Sequence, residues 1–204
     1  MTLTADPQIR LFAAIELSPA WQAALASLVS ELKPRLSAGA VRWTRPDGVH
    51  LTLKFYGEVP PEMVTPVEES LRPAAAAGRA FELQLGRLGI FPSPRAPRVL
   101  WTGVTGGVET LMHLQTEIES RAEPLGFKPE ARGFTPHLTL GRMAGRLRPA
   151  EVQAVEALQD RLIGQCEPLL VARISLMRSE LRGPRGPLYT RLADLPLGGP
   201  TTTG

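Results

Sequence analysis

Cysteine is almost absent from this sequence: Cys166 is the single one in 204 residues. A disulfide within the chain is therefore impossible, and a zinc site built from cysteines is excluded. No stretch approaches the roughly 20 apolar residues that a transmembrane helix needs, and the first ten residues hold no apolar run of signal-peptide length. We expect a cytoplasmic protein that contacts no membrane, with Cys166 as an ordinary free thiol.

Lysine is also rare, at positions 33, 54 and 128, so most of the positive charge comes from arginine. The formal net charge is +3, and charged residues of both signs make up 21% of the chain. This balance suits an anionic partner without requiring one, and a genome that favours arginine, alanine, glycine and proline codons explains most of it. Arginine nevertheless offers the planar fork that binds phosphate.

Hydrophobic residues make up 43% of the chain, enough to bury a core as one large domain or as two small lobes. Predicted strands and helices are mixed, and most strand-to-strand connections are short. This pattern favours an α+β protein with largely antiparallel sheets over a doubly wound parallel sheet. Residues 197–204 are rich in Gly, Pro and Thr and are predicted to form a flexible tail, which leaves residues 1–196 as a single domain.

Four helices and eight strands are predicted from capping signals and apolar spacing. Ser18 and Pro19 indicate a helix start, because serine caps a helix and proline fits its first turn. Thr65 to Glu68 is typical of a capping box, and Pro73 is expected to end or kink that helix. Helices are predicted over 19–33, 66–73, 108–122 and 151–163, and strands over 10–17, 41–43, 50–56, 81–90, 99–104, 137–142, 169–178 and 188–193.

The tetrapeptide His-Leu-Thr-Leu occurs twice, at His50–Leu53 and His137–Leu140, and uses two of the three histidines. Each copy lies in a predicted strand. Because successive side chains of a strand point to opposite faces, each histidine shares a face with the threonine two residues later, while the leucines face the core. Two such strands from two similar lobes could bring two imidazoles and two hydroxyls together across a groove.

This set of groups suits phosphoryl transfer without a metal. An unperturbed imidazole has a pKa of about 6.5, so one histidine can be a neutral base while the other is a protonated acid. Thr52 and Thr139 can donate hydrogen bonds to non-bridging phosphate oxygens. An in-line displacement needs acid and base on opposite sides of phosphorus, which two-fold-related histidines provide. His50 and His137 are therefore the candidate catalytic pair.

With these motifs the sequence resembles the two-histidine (2H) phosphoesterase superfamily, in its branch of RNA 2′,3′-cyclic phosphodiesterases, historically called 2′-5′ RNA ligases. The resemblance covers nearly the whole chain, from about Arg10 to Leu197. The matching segments are RLFAAIEL, VRWTRPDGVHLTLKFYGEV, LGIFPSPRAPRVLWTGV, GFTPHLTLGR, ISLMRSEL and PLYTRLADLPL.

The resemblance implies a bilobal α+β fold with pseudo-two-fold symmetry, in which two intertwined lobes place both motifs along a central cleft. It implies that water opens a 2′,3′-cyclic phosphate at an RNA end and leaves a 2′-phosphate. By resemblance His50 protonates the departing 3′ oxygen and His137 activates water, although a two-fold site can be read either way round. The resemblance also allows reversible 2′-5′ RNA ligation. We expect a monomer that needs no cofactor or metal and acts on such RNA ends or related nucleotides.

One position departs from the family pattern. Thr135 precedes Pro136 where relatives often carry a basic residue. If that residue holds RNA in relatives, the hold on the substrate is expected to be looser here.

Arg142 and Lys54 follow the two motifs and are candidates for binding phosphate. The resemblance places Arg142 at the phosphate, whereas strict alternation places it on the leucine side of the strand. A bulge or strand end at Gly141 would reconcile the two. Lys54 shares the His50 face by alternation, with an ordinary surface lysine as the equal alternative.

Four aromatic residues are candidates for stacking on a base: Phe91, Trp101, Phe134 and Tyr189. Core packing is the alternative for each of them. Phe91 and Phe134 are favoured because both adjoin loops. Arg95 lies in a proline-rich loop and is a candidate contact to the RNA backbone, with a solvated loop as the alternative.

Three other functions remain open from the sequence. A metal site that uses both motif histidines and a carboxylate lacks an accompanying HExxH motif or acidic cluster. A non-catalytic RNA-binding module would not need two intact His-x-Thr pairs. A 2H phosphodiesterase that acts on another cyclic nucleotide or on a 2′-5′ linkage would keep both motifs, because the motif reads the phosphate and not the rest of the substrate.

Overall fold

The fold is built on one sheet of nine strands, seen in a computed structural model that describes residues 8–130, 133–181 and 187–198. Each strand pairs antiparallel with its neighbours. The strands are β1 (Ile9–Glu16), β2 (Val41–Trp43), β3 (His50–Val59), β4 (Phe81–Phe91), β5 (Val99–Gly106), β6 (His137–Met143), β7 (Leu169–Val171), β8 (Arg173–Leu181) and β9 (Pro187–Pro196), and the helices are α1 (Pro19–Leu32), α2 (Val64–Ala77), α3 (Val108–Ala122) and α4 (Pro149–Glu156).

The sheet has two similar halves that meet at the motif strands. Its order is β7-β4-β5-β6-β3-β1-β8-β9, and β2 pairs with β6. We call β3, β1, β8 and β9 lobe one, and β6, β5, β4 and β7 lobe two. In each lobe a strand and a helix precede the motif strand along the chain: β1 and α1 precede β3, with β2 between α1 and β3, and β5 and α3 precede β6. The α+β class and the bilobal arrangement predicted from the sequence are confirmed.

Apolar side chains fix the motif strands from the core side. The four motif leucines belong to the main hydrophobic core and are at most 2% exposed. Burying one leucine side chain contributes about 2 kcal/mol, so these leucines set which face of β3 and β6 is turned inward. The helices contribute buried residues at helical spacing: Trp21, Leu25, Leu28 and Leu32 from α1, and Leu111, Leu114 and Ile118 from α3.

The first and third helices follow the sequence prediction, and the second does not. Ser18 caps α1, its hydroxyl accepting from the Trp21 N–H at 3.3 Å. Helix α2 begins at Val64 and has no capping bond from a side chain, so the capping box predicted at Thr65 is wrong. The helix also continues through Pro73. This residue lies on the exposed side, where water can reach a carbonyl that loses its partner, while the opposite face of α2 is buried.

The fourth helix is shorter than predicted and ends at Glu156. The chain goes on in tight turns, such as the bond from Leu158 N to Val155 O at 3.1 Å. The Gln159 carbonyl accepts instead from Leu88 N at 2.7 Å, and this contact with β4 takes it away from a helical ladder. Of the described helices, none is both long and apolar enough to span a membrane.

The predicted strand over 169–178 is divided in the structure. Ala172 separates β7 from β8, and these two strands lie near opposite ends of the sheet, in lobe two and lobe one. The predicted tail also begins with ordered contacts. Leu197 N donates to Ala172 O at 2.9 Å and Gly198 N to Ala75 O at 3.1 Å, whereas residues 199–204 lie outside the described part of the chain.

Glu151→Gln is expected to lower the thermal midpoint of unfolding by several degrees at neutral pH. The buried carboxylate accepts from Ser37 N at 2.7 Å, Ser37 Oγ at 2.6 Å, Arg148 N at 2.7 Å and Arg148 Nη2 at 3.2 Å. These donors, the Ser37 hydroxyl first, lower the pKa of Glu151 from 4.5 to about 2. A carboxyl group with a depressed pKa stabilises the fold above its ordinary pKa and loses that contribution as the pH falls towards the lowered value.

The check is urea unfolding of both proteins at neutral pH and at about pH 3, the latter between the two pKa values. The deficit of Glu151→Gln should shrink on acidification. The exposed Glu123 supplies the control, since Glu123→Gln removes a charge without those four bonds. A deficit independent of pH would mean that the ionised form is not what holds α4 to the Ser37 turn.

Candidate active site

The two motifs meet where Leu51 pairs with Leu138, the pair that joins β3 to β6. Because the strands are antiparallel, the next side chains along each strand face each other as His50 with Thr139 and Thr52 with His137. Directly opposite Cβ atoms lie about 5 Å apart and diagonal neighbours about 7–8 Å apart. The two imidazoles thus occupy one diagonal of a small square and the two threonines the other. We call these four residues the motif square.

Each imidazole of the motif square is held by a backbone carbonyl two residues before it. His50 Nδ1 lies 3.0 Å from Gly48 O, and His137 Nδ1 lies 2.7 Å from Thr135 O. A carbonyl can only accept, so Nδ1 carries the proton in both rings and Nε2 is left to exchange one with a ligand. Thr135 thus contributes a backbone carbonyl, which any residue at this position would supply.

The two threonines present unused hydroxyl groups. Thr52 and Thr139 are half-buried. Neither hydroxyl bonds to another group in the described residues, whereas Thr102, which is buried, donates to Gly86 O at 3.0 Å. A half-buried hydroxyl beside an imidazole is well placed to donate to an anionic oxygen.

A β-bulge decides the position of Arg142. Opposite β5, Trp101 pairs with Thr139 but Leu100 pairs with Gly141, so Leu140 is an extra residue in β6. Both Leu140 and Gly141 are buried, and Arg142 returns to the face that carries Thr139. The sequence pattern allowed for a bulge or strand end at Gly141, and the bulge lies one residue earlier. Arg142 is exposed on this face of the sheet, which carries the motif square and which we call the cleft face.

The same kind of bulge overturns the prediction for Lys54. Opposite β1, Ala14 pairs with Thr52 but Ala13 pairs with Lys54, so Leu53 is the extra residue. Lys54 therefore turns to the core side instead of sharing the His50 face. Its Nζ pairs with the Glu119 carboxylate of α3. A phosphate-binding role for Lys54 does not fit this burial, and neither does a surface lysine.

Lys54 belongs to a small buried polar cluster behind the cleft. Its Nζ also donates to Lys128 O at 3.2 Å. Gln115 Nε2 donates to Glu119 Oε1 at 3.0 Å and approaches the carbonyl of the bulged Leu53 at 3.4 Å. The cluster thus holds the bulge of motif one on α3 and ties it to the segment that leads into motif two.

His50 is packed between two aromatic rings. Phe12 stacks on it with centroids 4.6 Å apart, and Tyr189 meets it edge-on at 4.9 Å. Burial lowers the pKa of His50 below its ordinary value, while the bond to Gly48 O and the Glu16 carboxylate oppose this shift. Burial therefore favours neutral His50, and a bound phosphate would favour the protonated ring.

His137 stands beside a stacked aromatic pair. The Phe91 and Trp101 rings lie 4.4 Å apart at 16°, and the Phe91 ring is 5.4 Å from His137. The Trp101 indole lies against Gly89 and Gly103 of the neighbouring backbone, and a Cβ on Gly89 would come within 2.4 Å of it. The pair is half-buried, so it presents an aromatic surface next to His137. Phe91 therefore lies exposed enough to meet a base beside His137, and that contact stays a prediction.

Two other candidates lie elsewhere. Phe134 is half-buried and packs against the main core, which favours the core alternative over a base contact. Arg95 is exposed in the loop after Phe91, a loop closed by a bond from Arg98 N to Phe91 O at 2.8 Å. Its contact with RNA stays a prediction.

The sequence pattern predicted a strand at β1 but no functional residues on it, because a buried strand was expected. In the structure one side of β1 belongs to the cleft face. Arg10, Phe12 and Glu16 lie on this face. Glu16 pairs with His50 across the sheet and accepts from Ser175 Oγ at 2.6 Å. The one signal in IRLFAAIE that could have found this face is the even spacing of its two charged residues, Arg10 and Glu16, because an even spacing places both on one face of a strand. In the described residues, no three His, Cys, Asp or Glu side chains converge closely enough to hold a metal ion.

Comparison with known proteins matches these features to one family. The family model described as LigT like Phosphoesterase matches residues 15–101 and 104–189, and each stretch contains one His-Leu-Thr-Leu motif. The RNA 2′,3′-cyclic phosphodiesterase of Methanothermobacter thermautotrophicus is 35% identical over 185 residues, covering 90% of this chain and 96% of the relative. That of Aeropyrum pernix is 37% identical over 150 residues, covering 73% and 82%.

Solved structures show the same likeness. The protein TT0787 of Thermus thermophilus superposes with a TM-score of 0.74 and 27% identity, covering 94% of this chain and 99% of that one. E. coli LigT complexed with 3′-AMP gives a TM-score of 0.74 and 25% identity with the same coverage. The antiparallel sheet and the duplicated motif together define a two-histidine phosphoesterase. The chain belongs to the LigT-like phosphoesterase family, as its sequence predicted.

Proposed function

We propose that the protein hydrolyses 2′,3′-cyclic phosphate ends of RNA to 2′-phosphates, by general acid–base catalysis between His50 and His137. The observation that carries this proposal is the matched anchoring of the two rings, whose Nδ1 atoms lie 3.0 and 2.7 Å from carbonyl oxygens. Both Nε2 atoms are thereby free for proton transfer on a diagonal of the motif square. The activity named for the relatives in Methanothermobacter thermautotrophicus and Aeropyrum pernix supports the substrate class.

In the proposed reaction the cyclic phosphate sits between the two imidazoles. Neutral His137 takes a proton from water through Nε2 while the water oxygen bonds to phosphorus. The bond from phosphorus to the 3′ oxygen breaks, and protonated His50 gives its Nε2 proton to that oxygen. The products are a 2′-phosphate and a free 3′-hydroxyl. The same sequence with a 5′-hydroxyl in place of water would be 2′-5′ ligation, and the reverse of that reaction would cleave a 2′-5′ linkage.

The remaining cleft groups stabilise the charge that develops on phosphate. The hydroxyls of Thr52 and Thr139 donate to the two non-bridging oxygens, one from each side of the motif square. Arg142, on the same face as Thr139, supplies the positive charge. The terminal base stacks on the Phe91–Trp101 surface beside His137. The cytoplasmic location and the monomeric state stay predictions.

The test is to incubate purified protein with a short RNA that ends in a 2′,3′-cyclic phosphate, with EDTA present. The product is identified by mass spectrometry and by ³¹P NMR, which separates 2′- from 3′-monoesters. We expect addition of one water and a 2′-phosphate end. A 3′-phosphate would contradict the assigned leaving oxygen, and no reaction in a protein that is folded by circular dichroism would contradict the proposed substrate.

A protein with His50→Ala and His137→Ala together, purified in the same way, shows how much turnover a contaminating nuclease contributes. Loss of activity with EDTA and recovery with a divalent ion would favour a metal-dependent reaction. Opening of a nucleoside 3′,5′-cyclic phosphate or a 2′-5′ linkage at a higher rate would move the substrate to another class of diester.

A further inference from the structure

Tyr189 marks the end of the cleft beyond His50. Its ring meets the imidazole at 4.9 Å and Phe12 at 5.4 Å, edge-on in both cases. It also lies against the turn before motif one, where a Cβ on Gly48 would be 3.3 Å from the ring. The phenol ring therefore lies on the cleft face of lobe one, next to the proposed acid.

Three arginines, each from a different element, lie near enough to this phenol for their charges to act on it. Arg10 of β1 pairs with Ser179 of β8, and Ser179 pairs in turn with Tyr189 of β9, so these side chains share one face. Arg45 immediately precedes the turn that packs on Tyr189. Arg142 comes from lobe two. Burial raises the pKa of Tyr189, and Arg142, Arg10 and Arg45 each oppose that rise.

The positive charge of this group is poorly compensated. Neither Arg10 nor Arg142 has a carboxylate partner among the residues that the structure describes, and Arg45 forms an exposed pair with Asp47 at 3.3 Å. Arg10 is held over the half-exposed Phe55 ring at 5.2 Å. Its Nε is buried and meets no acceptor in the described protein. Neighbouring guanidinium groups without carboxylate partners, such as those of Arg10 and Arg142, are typical of a site for an anion with several oxygens.

We infer that Arg10, Arg45 and Tyr189 form a second phosphate site, which binds the phosphate on the 5′ oxygen of the terminal nucleotide. The inference rests on the proposed function, and ribose geometry links the two. C5′ is bonded to C4′, the neighbour of C3′, and the oxygen on C3′ leaves towards His50. The base is bonded to C1′, the neighbour of C2′, and so lies on the other side of the cyclic phosphate. A nucleotide with its base on the Phe91–Trp101 surface therefore directs its 5′ phosphate towards the Tyr189 end.

Two sources can supply this phosphate: the diester that continues an RNA chain, or a 5′-monophosphate on a single nucleotide. In both cases the site makes the enzyme prefer a substrate with two phosphates over the bare cyclic nucleotide. Arg142 is shared with the reacting phosphate, so the variants that isolate the second site are those of Arg10 and Arg45.

The experiment measures kcat/KM for four substrates: adenosine 2′,3′-cyclic phosphate, the same nucleotide with a 5′-phosphate, the dinucleotide ApA with a 2′,3′-cyclic phosphate, and that dinucleotide with an uncharged methylphosphonate linkage. For the native protein we expect the charged dinucleotide to exceed the methylphosphonate analogue about tenfold, the scale of one charge-assisted contact. Arg10→Gln and Arg45→Gln should each reduce this ratio to about threefold or less. Turnover of adenosine 2′,3′-cyclic phosphate should stay within about twofold.

Arg79→Gln is the matched control, because Arg79 is exposed and its loss changes the net charge equally. If the 5′-monophosphate raises kcat/KM over the bare cyclic nucleotide as much as the dinucleotide does, a terminal phosphate is sufficient for this site. If only the dinucleotide raises kcat/KM, the site binds the diester of the chain. Equal kcat/KM of the native protein for the charged and the methylphosphonate dinucleotides would overturn the site. So would an unchanged ratio of these two values in a variant that carries both Arg10→Gln and Arg45→Gln.

Two further outcomes are separable. If Arg10→Gln does not fold, as judged by its melting temperature, the exposed Arg45→Gln decides the question alone. If the native protein fails to open adenosine 2′,3′-cyclic phosphate and both dinucleotides, the proposed function itself is wrong, and the second site is overturned with it.

Discussion

His50→Ala is expected to lower the rate of cyclic phosphate opening by roughly 10²–10⁴, the usual contribution of a general acid or base, and a sulfur atom in place of the 3′ oxygen is expected to restore most of that loss. A thiolate leaves without protonation, because it is a far weaker base than an alkoxide. His137→Ala should show a loss of the same order of magnitude. The sulfur substrate should not rescue it, since the attacking water still needs its base.

The measurement is a two-by-two comparison of kcat/KM, with both variants and with both the oxygen and the sulfur substrate. His113→Ala is the control, because His113 lies on α3, away from both motifs. Rescue of His137→Ala instead of His50→Ala would exchange the roles of acid and base within the pair. A wild-type rate in either variant would refute the pair itself.

The pH dependence of the His137→Ala variant tests the direction in which the pKa of His50 is shifted. In His137→Ala the only imidazole left in the motif square is His50, which acts in its protonated form. Because burial lowers the pKa of His50, the residual kcat/KM should fall as the pH rises, with a midpoint below the ordinary value of about 6.5. The sulfur substrate should remove this alkaline decline. A residual rate that increases with pH would contradict His50 as the acid.

Lys54→Met is expected to lower stability and Arg142→Gln to lower activity, although both residues follow a motif in the sequence. The Lys54 and Glu119 side chains are only 3% and 15% exposed. Removal of one partner leaves a buried, unpaired carboxylate, so Lys54→Met should lower the free energy of unfolding by about 3 kcal/mol. Its KM should change little, since the ammonium lies on the core side of β3.

Arg142→Gln is expected to change stability by no more than about 0.5 kcal/mol, because the side chain is exposed. It should instead lower kcat/KM by a factor on the order of 10², as loss of one charged donor to the reacting phosphate does. Urea unfolding and steady-state kinetics on the same preparations check both variants.

A second substitution separates the ion pair from other effects of Lys54. Glu119→Gln in the Lys54→Met background removes the unpaired charge and keeps a side chain that can bond to Gln115. We expect it to recover most of the lost stability. No recovery would mean that the bonds to the Lys128 carbonyl, and not the charge pair, hold this cluster. A raised KM with unchanged stability in Lys54→Met would restore the phosphate role expected from simple alternation.

Local pattern was enough for the motif square and for most elements. The leucines at alternate positions bury one face of each motif strand, so His50 and Thr52, and likewise His137 and Thr139, had to share the other face. Helix α1 begins where Ser18 and proline indicate, because a cap needs only residues within one turn.

Features that depend on a neighbouring strand could not be read in this way. Alternation failed at Lys54 because Leu53 is bulged opposite β1, and a bulge is a property of two strands in register. Alternation was equally unable to place Arg142. The stacked position of Trp101 depends on Gly89, a residue of the adjacent strand that leaves the sheet surface open. The shortened α4 depends on β4, which takes the Gln159 carbonyl.

The sequence by itself therefore determined the α+β class, the duplicated motif and its four polar side chains, because each follows from the periodicity of a single strand or helix. Only the tertiary structure decided that Lys54 is a buried ion-pair partner, that Arg142 reaches the cleft, and that β7 and β8 lie near opposite ends of the sheet. It also brought Arg10, Arg45 and Tyr189 together from three separate elements. Register, bulges and the packing of one strand on another are relations between distant segments, and no local pattern contains them.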